Sequence, residues 1–492
     1  MGSDNQASPI DQKSIVLNDI TTPNKSQAKV ELHITGGVPQ TLSSLDNIND
    51  EKKSKGQVDT GRKNVTHPTS SFETLIHLLK GNIGPGILNM PEAFLNAGLY
   101  VGLIGVPIIG IICIHCMQLL LQSSKILCVR KDCEFLSYEQ TAEAAFSTSS
   151  WIRIRRYASA VKIGMITFLV LTQLGFCCVY FVFVSQNLYQ AIECMTGGTG
   201  ISELGYMVII ILPIVIMCYI SELKYLAPIS LAAGLIQSVG FVFTFYYLVK
   251  DLNTGEVQEL PFFAGWMKMP LYFSSAIYAF EGIGLILPLE NKMKYPDHFG
   301  GSLGVLNCGM VAVVTIFAAV GYFGYLQYGA EVEGSITLNL PPGETLAQCV
   351  KLLMGLSVFM TYPIQFYVPA SILTPFVVAK ITSPSKKKIV GTAFKTSLVL
   401  LTFSLAAIIP NIGLFINLVG SVSSSTLALI FPPLVHLVTV WPNTGKYNYI
   451  AIKALLIVSF GLLGFSTGTY SSLVAIFEYL ANPTPAPELV CE

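Results

Sequence analysis

Long apolar stretches alternate with short polar ones along most of the chain, and their spacing predicts helices rather than strands. A hydrocarbon core about 30 Å thick needs roughly 20 apolar residues in a helix. Runs of that kind occur at 74–96, 99–121, 160–185, 204–220, 226–249, 268–289, 303–326, 347–377, 391–409, 413–438 and 450–479. The pattern therefore predicts an all-α polytopic membrane protein with eleven transmembrane helices. Pro410-Asn411 is the one turn signal between the ninth and tenth runs. Residues 1–71 are polar, rich in Ser, Thr, Asn, Asp and Lys, and cannot bury enough apolar area to offset their ordering entropy. They read as a disordered cytoplasmic tail, followed by an eleven-helix domain at 72–480 and a short extracytoplasmic tail at 481–492. No charged segment leads into an apolar stretch at the start, so no cleavable signal peptide is expected.

Composition agrees with the pattern. The chain of 492 residues is 52% hydrophobic and only 12% charged, too little charge to cover the surface of a soluble fold. Lys and Arg number 29, as do Asp and Glu, and eight of each fall in the tail. This balance, without a basic patch, argues against a nucleic-acid partner. The partner expected from this composition is the lipid bilayer.

Orientation follows from the asymmetry of Lys and Arg between loops. With the tail inside, the inner loops carry Lys125, Arg130, Lys131, Arg153, Arg155, Arg156, Lys224, Lys292, Lys294, Lys386, Lys387, Lys388 and Lys446. The opposite loops carry Lys250, Lys268 and Lys351 beside many carboxylates. Trp151, Trp266 and Trp441 all fall at span ends, as interfacial anchors do. Of eleven cysteines, only Cys194, Cys349 and Cys491 fall on the outer side, and a Cys194–Cys349 disulfide is predicted, with two free thiols as the alternative. The sequons at Asn24 and Asn64 lie in the tail and should be unglycosylated; Asn482-Pro483-Thr484 is excluded by its proline.

Two spans are interrupted. The first reads Gly81-Asn82-Ile83-Gly84-Pro85-Gly86 at its middle, and the sixth reads Phe280-Glu281-Gly282-Ile283-Gly284. Proline and clustered glycines break the helical ladder, and non-helical backbone at membrane depth survives only against protein or a polar cavity. The breaks lie five spans apart, so the two broken helices run in opposite directions, as a 5+5 inverted-repeat transporter fold requires. Free N–H groups at a half-helix start suit a carboxylate, and free carbonyls at a half-helix end suit an ammonium group. The expected ligand is a zwitterion such as an α-amino acid, held by Gly81, Asn82, Ile83, Gly84, Gly86, Phe280, Glu281 and Gly282. Close helix packing is the plainer use of glycines, but it does not call for a proline flanked by them at mid-span.

Ionisable groups inside spans are costly and by default functional. His77, Lys80, Glu92, Lys162, Glu281 and Lys395 fall there. Lys162 and Lys395 sit near span ends and can snorkel, and Glu92 lies toward water at the outer end. His77 shares a helix face with Lys80 and Gly81, and Glu281 lies within the second break; these two are the proton-coupling candidates. His115 carries no assigned role. The six histidines form no metal spacing, so neither a metal nor any cofactor is expected, and no enzyme motif is present.

The segment from Phe72 to Leu88, FETLIHLLKGNIGPGIL, resembles the first span of proton-coupled amino acid transporters of the amino acid/auxin permease family. Ala279-Phe280-Glu281-Gly282-Ile283-Gly284, followed by Leu287-Pro288-Leu289-Glu290-Asn291, resembles their sixth. The likeness runs from about Phe72 to Leu480. It implies eleven spans, a cytoplasmic N-terminus and symport of protons with small neutral amino acids such as glycine, alanine and proline. It also implies an essential histidine at His77 and an external disulfide at Cys194 and Cys349. A sodium-coupled or uncoupled transporter, with Ser357 and Thr361 as candidate hydroxyls, and a transporter-like amino acid sensor are the rival readings. Plasma membrane is the favoured location, with a lysosomal or endosomal membrane as the alternative.

Overall fold

The computed structural model describes residues 68–220, 223–250, 252, 260–482 and 491. Residues 1–67, with both tail sequons, lie outside the described residues, as do Asp251, Glu256, Glu259 and the side chain of Lys224.

All regular structure in the described residues is helical, apart from one isolated bridge between Thr69 and Met293. Each of the eleven apolar runs forms helix. Nine helices among the described residues are long and apolar enough to cross a bilayer. The other two runs fall outside that number for different reasons. The fourth, α8 (Glu203–Cys218), has 16 residues, and the first is split into α1 (Ser71–Asn82), α2 (Pro85–Leu88) and α3 (Met90–Ala97). The chain is a multi-pass membrane protein.

Local sequence explains the first boundary. Ser70 accepts a hydrogen bond from the Glu73 amide at 3.2 Å while the Glu73 carboxylate accepts one from the Ser70 amide at 2.7 Å, a reciprocal cap that starts α1. Further along, α4 (Leu99–Lys131) is followed by α5 (Tyr138–Ser147), within a stretch whose polarity reads as loop. The helix α5 buries Tyr138, Thr141, Ala142, Ala144 and Ala145 in the bundle, and the Tyr138 hydroxyl donates to the Leu427 carbonyl at 2.6 Å.

The most extensive helix pairing joins α7 (Ala158–Thr196) to α13 (Thr345–Val378), and α9 (Leu223–Lys250) packs along α13 as well. Phe181 of α7 meets Tyr362 of α13 edge to face at 5.1 Å, and Tyr362 hydrogen-bonds Thr402 of α14 (Pro384–Ile408) at 2.8 Å. Small residues allow close approach where lipid supplies no hydrophobic drive between helices. Fully buried Phe94 of α3 lies between Gly102 of α4 and Gly321 of α12 (Val305–Tyr328), where an added Cβ would come within 2.7 and 2.3 Å of its ring.

The sixth span divides into α10 (Met269–Ala279) and α11 (Ile283–Lys292). The tenth comprises α15 (Ile412–Val419), two π-helical turns at Gly420–Ser424 and Thr426–Ile430, and α16 (Phe431–Val440). The last is α17 (Tyr449–Ala481). Between connecting loops, Trp151 and Trp441 have ring centroids 4.5 Å apart, and Lys125 pairs with Asp297 at 3.6 Å. Lys162 is held by Glu143 of α5 at 2.7 Å.

The expected disulfide is corrected by the structure. Cys194 bonds Cys491, and Cys349 is a free, exposed thiol. Cys349 points outward from the start of α13 because its neighbours Gln348, Val350 and Lys351 turn inward. The last helix ends near the start of α8, where Tyr479 approaches Glu203, and this brings the C-terminal cysteine within reach of Cys194.

Candidate functional site

The two helix breaks meet. Asn82, the last residue of α1, folds its amide back onto the Leu78 carbonyl at 2.8 Å, and its Oδ1 is buried without a hydrogen-bond partner. That oxygen sits over Gly282, the residue that starts α11. A Cβ on Gly86 would lie 2.9 Å from the Ala279 Cα, so the second half of span one also touches the second break.

Each break leaves backbone groups available. Pro85 brings no N–H, so the carbonyls ending α1 lose a donor from the following turn. Ile83 leaves the helix with extended backbone, its amide bonds Leu79 O at 2.9 Å, and its carbonyl accepts from Gln237 Nε2 of α9 at 2.8 Å. In the sixth span the chain turns through Phe280 to Gly282, and Gly282 N–H bonds the Phe280 carbonyl at 2.8 Å before α11 begins. The first N–H groups of α11 have no preceding turn to serve and form its positive end.

A cavity of about 470 Å³ opens at this junction. Of the residues expected from sequence, Gly81, Asn82, Gly84, Gly86, Glu281 and Gly282 line it. Phe280 does not; its ring turns away to pack on Phe317 at 5.1 Å. Ile83 contributes its carbonyl to Gln237 and its side chain to the apolar packing instead. Glu281 Oε2 and the Ser424 Oγ are both buried, and the Ser424 hydroxyl stands beside the Glu281 carboxyl. His77 is exposed on α1, four residues before Gly81, and does not line the cavity. Lys80 turns sideways to α9, donating to the Ser230 carbonyl and to its hydroxyl at 2.8 Å.

Several lining residues were not singled out in the sequence. Gln173 of α7 and Gln365 of α13 face each other across the cavity, the Gln365 amide donating to Gln173 Oε1 at 2.5 Å. Phe176 meets Tyr278 edge to face at 4.9 Å, and Tyr138, Glu139, Tyr180 and Tyr367 complete much of the wall. The signal that marks the glutamines is an amide within an otherwise apolar run; a search confined to ionisable groups passes over it. Ser357 and Thr361 do not face the cavity, and their hydroxyls donate to the Ala233 and Ser357 carbonyls at 2.8 Å each.

Chemically, the site pairs half-helix ends with one buried carboxyl, two amides and a set of aromatic rings. No group of His, Cys, Asp and Glu with the arrangement of a metal site occurs among the described residues. The pocket suits a small solute bearing both charges, with aromatic and aliphatic walls for a short side chain.

Comparison with known proteins gives the same direction. The family model described as "Transmembrane amino acid transporter protein" matches residues 67–477. The "Proton-coupled amino acid transporter-like protein pathetic" of Drosophila melanogaster is 38% identical over 418 residues, covering 85% of this chain and 87% of that one. The "Probable amino acid transporter skat-1" of Caenorhabditis elegans is 26% identical over 445 residues, covering 87% and 96%. Among solved structures, the inward-facing conformation of Mhp1 aligns with a TM-score of 0.50 at 13% identity, over 87% of this chain and 93% of that one, and shows a shared LeuT-type fold. The chain belongs to the transmembrane amino acid transporter protein family.

Proposed function

We propose that this transporter is a secondary active proton symporter of small neutral amino acids, acting at the plasma membrane or a lysosomal membrane with its N-terminus in the cytoplasm. The observation that carries the reading is the buried Glu281 carboxyl at the junction of the two breaks, beside backbone groups of both signs. The half-helix ends take the ammonium and carboxylate of the substrate, and Glu281 takes the proton. His77 is the second proton-coupling group. It stands exposed on α1, the helix that ends at Asn82.

The energetics suffice. A proton driven inward supplies about 2.3 kcal/mol per 100 mV and about 1.4 kcal/mol per pH unit. Each 1.4 kcal/mol is tenfold in concentration, so one proton per substrate sustains a gradient of a neutral zwitterion of a few hundredfold.

Uptake of labelled glycine, alanine and proline across a range of external pH, with sodium replaced by an inert cation, tests the proposal. Accumulation that rises with acidity and persists without sodium is the expected result. Dependence on sodium, or insensitivity to pH, overturns proton coupling while leaving the amino acid site in place.

A further inference from the structure

Beyond the break, the second half of span one is fastened at the end of the bundle away from the cavity. Asn89 Nδ2 donates both to the Glu92 carboxylate and to the Gly334 carbonyl, the latter at 3.0 Å. The Ile336 amide bonds the Leu88 carbonyl at 2.8 Å. The connection between α12 and α13 is thereby held across α2 and α3.

Glu92 also meets a third element. Gly413 is the second residue of α15, and a Cβ built there would stand 2.4 Å from each oxygen of the Glu92 carboxyl. One built on Gly334 would stand 2.9 Å from the Gly413 nitrogen and 3.6 Å from Glu92 Oε2. Two glycines at facing positions thus leave a seat for one carboxyl between the α12–α13 connection and the first turn of α15. That turn is capped by Asn411, whose Oδ1 accepts from the Leu414 amide at 3.0 Å, and a carboxyl beside it meets the positive end of the helix. Among the described residues no Lys or Arg pairs with Glu92, and Glu333 is a charged neighbour. The cavity wall includes nothing from Ile87 to Ala97, nor Gly334 or Gly413.

We propose that Glu92 is the latch of the gate between the cavity and this end of the bundle. Span one, the α12–α13 connection and span ten all converge on its carboxyl, so a path to the cavity on this side opens only when the carboxyl leaves the Gly334–Gly413 seat. Glu92 is a positioning residue: it touches no substrate and acts through α3 and α15. The inference rests on the transport reading above, because a gate matters only to a protein that exposes one site to two sides in turn.

The test is thiol labelling, which needs no uptake. In a Cys308→Ser/Cys349→Ser background, Ile364→Cys places a reporter on the cavity wall, and a membrane-impermeant maleimide is added to intact cells or to inside-out vesicles. Glu92→Ala is expected to raise labelling from the gate side about fivefold, the loss of one hydrogen-bonded contact, and to lower it from the opposite side. Glu92→Gln keeps the shape and the acceptor and should stay near the parent. Gly413→Ala displaces the carboxyl from its seat and should reproduce Glu92→Ala even where the latter fails to reach the surface. Parental labelling from both sides in Glu92→Ala, or in Gly413→Ala where only that variant is made, overturns the latch. A shift in labelling by a protein that carries no amino acid would uphold the latch and remove the transport reading instead.

Discussion

Asn82 Oδ1 stands where a side chain on residue 282 would have to go: a Cβ there would lie 2.4 Å from it. The two interrupted spans are thus fitted to each other atom against atom at the cavity floor. Gly282→Ala should abolish uptake and destabilise the purified protein by about 1–3 kcal/mol, the usual cost of overpacking. The double variant Asn82→Ala/Gly282→Ala makes room again and should recover most of the thermal stability but not the uptake. A double variant no more stable than Gly282→Ala alone would show that the contact is not the source of the strain.

Glu281→Gln keeps the size of the side chain and removes its proton. Exchange of labelled for unlabelled amino acid should survive in this variant, while accumulation driven by an imposed pH gradient is lost. His77→Ala should likewise lose acid-driven accumulation. Uptake at the wild-type level by a surface-expressed His77→Ala protein would take that residue out of the mechanism.

The amide pair of Gln365 and Gln173 joins α13 to α7 across the cavity. Gln365→Ala removes one hydrogen bond of about 0.5–1.5 kcal/mol. The expected result is a rise in KM of up to about tenfold with kcat little changed. An unchanged KM would place the pair outside the substrate's reach.

Reduction should separate Cys194, Cys349 and Cys491 by behaviour. Mass mapping of non-reduced peptides should join Cys194 to Cys491, and Cys491→Ser should abolish that link while Cys349→Ser leaves it intact. A linked Cys194–Cys349 peptide would reverse the assignment.

Glu344, at the start of α13, accepts hydrogen bonds from the Tyr247 hydroxyl at 2.7 Å and from Lys250 at 3.0 Å. These bonds hold its carboxyl below the usual carboxylate range, Tyr247 contributing most. A lowered native value means the tie is fully present above the ordinary carboxylate range and fades as pH falls through the native one. Glu344→Gln should flatten that acid limb of a stability-versus-pH curve. The effect is small, as befits an exposed pair.

Much of this architecture is legible in the sequence because membrane burial imposes long apolar runs that nothing else explains. The breaks at Gly84-Pro85-Gly86 and at Glu281-Gly282 are equally plain, since proline and glycine at mid-span contradict the local rule. What stays hidden depends on partners distant in the chain. Nothing near Cys194 distinguishes Cys349 from Cys491, because the choice is made by where α17 ends. Tyr138 and Glu139 read as loop, since the helix that carries them is short and half polar. Glu92 reads as a carboxylate near water because its seat is formed by two glycines, 334 and 413, that leave no chemical mark of their own.

The π turns of span ten set an angular register. In an uninterrupted α-helix, 18 residues make five turns, so the buried faces of Ile416 and Val419 would recur at Leu434 and Leu437. Those leucines are half-buried, and the buried positions beyond the prolines are Val435, His436 and Thr439, one to two residues later. Two π turns, each absorbing one extra residue, account for that offset. It is this phase shift that delivers His436 to the Ser123 hydroxyl, 3.0 Å away, and turns leucine toward the periphery. The same sequence wound as an uninterrupted α-helix would have an unchanged hydrophobic composition. It would nonetheless rotate a different face of α16 into the bundle, with leucine where histidine now stands.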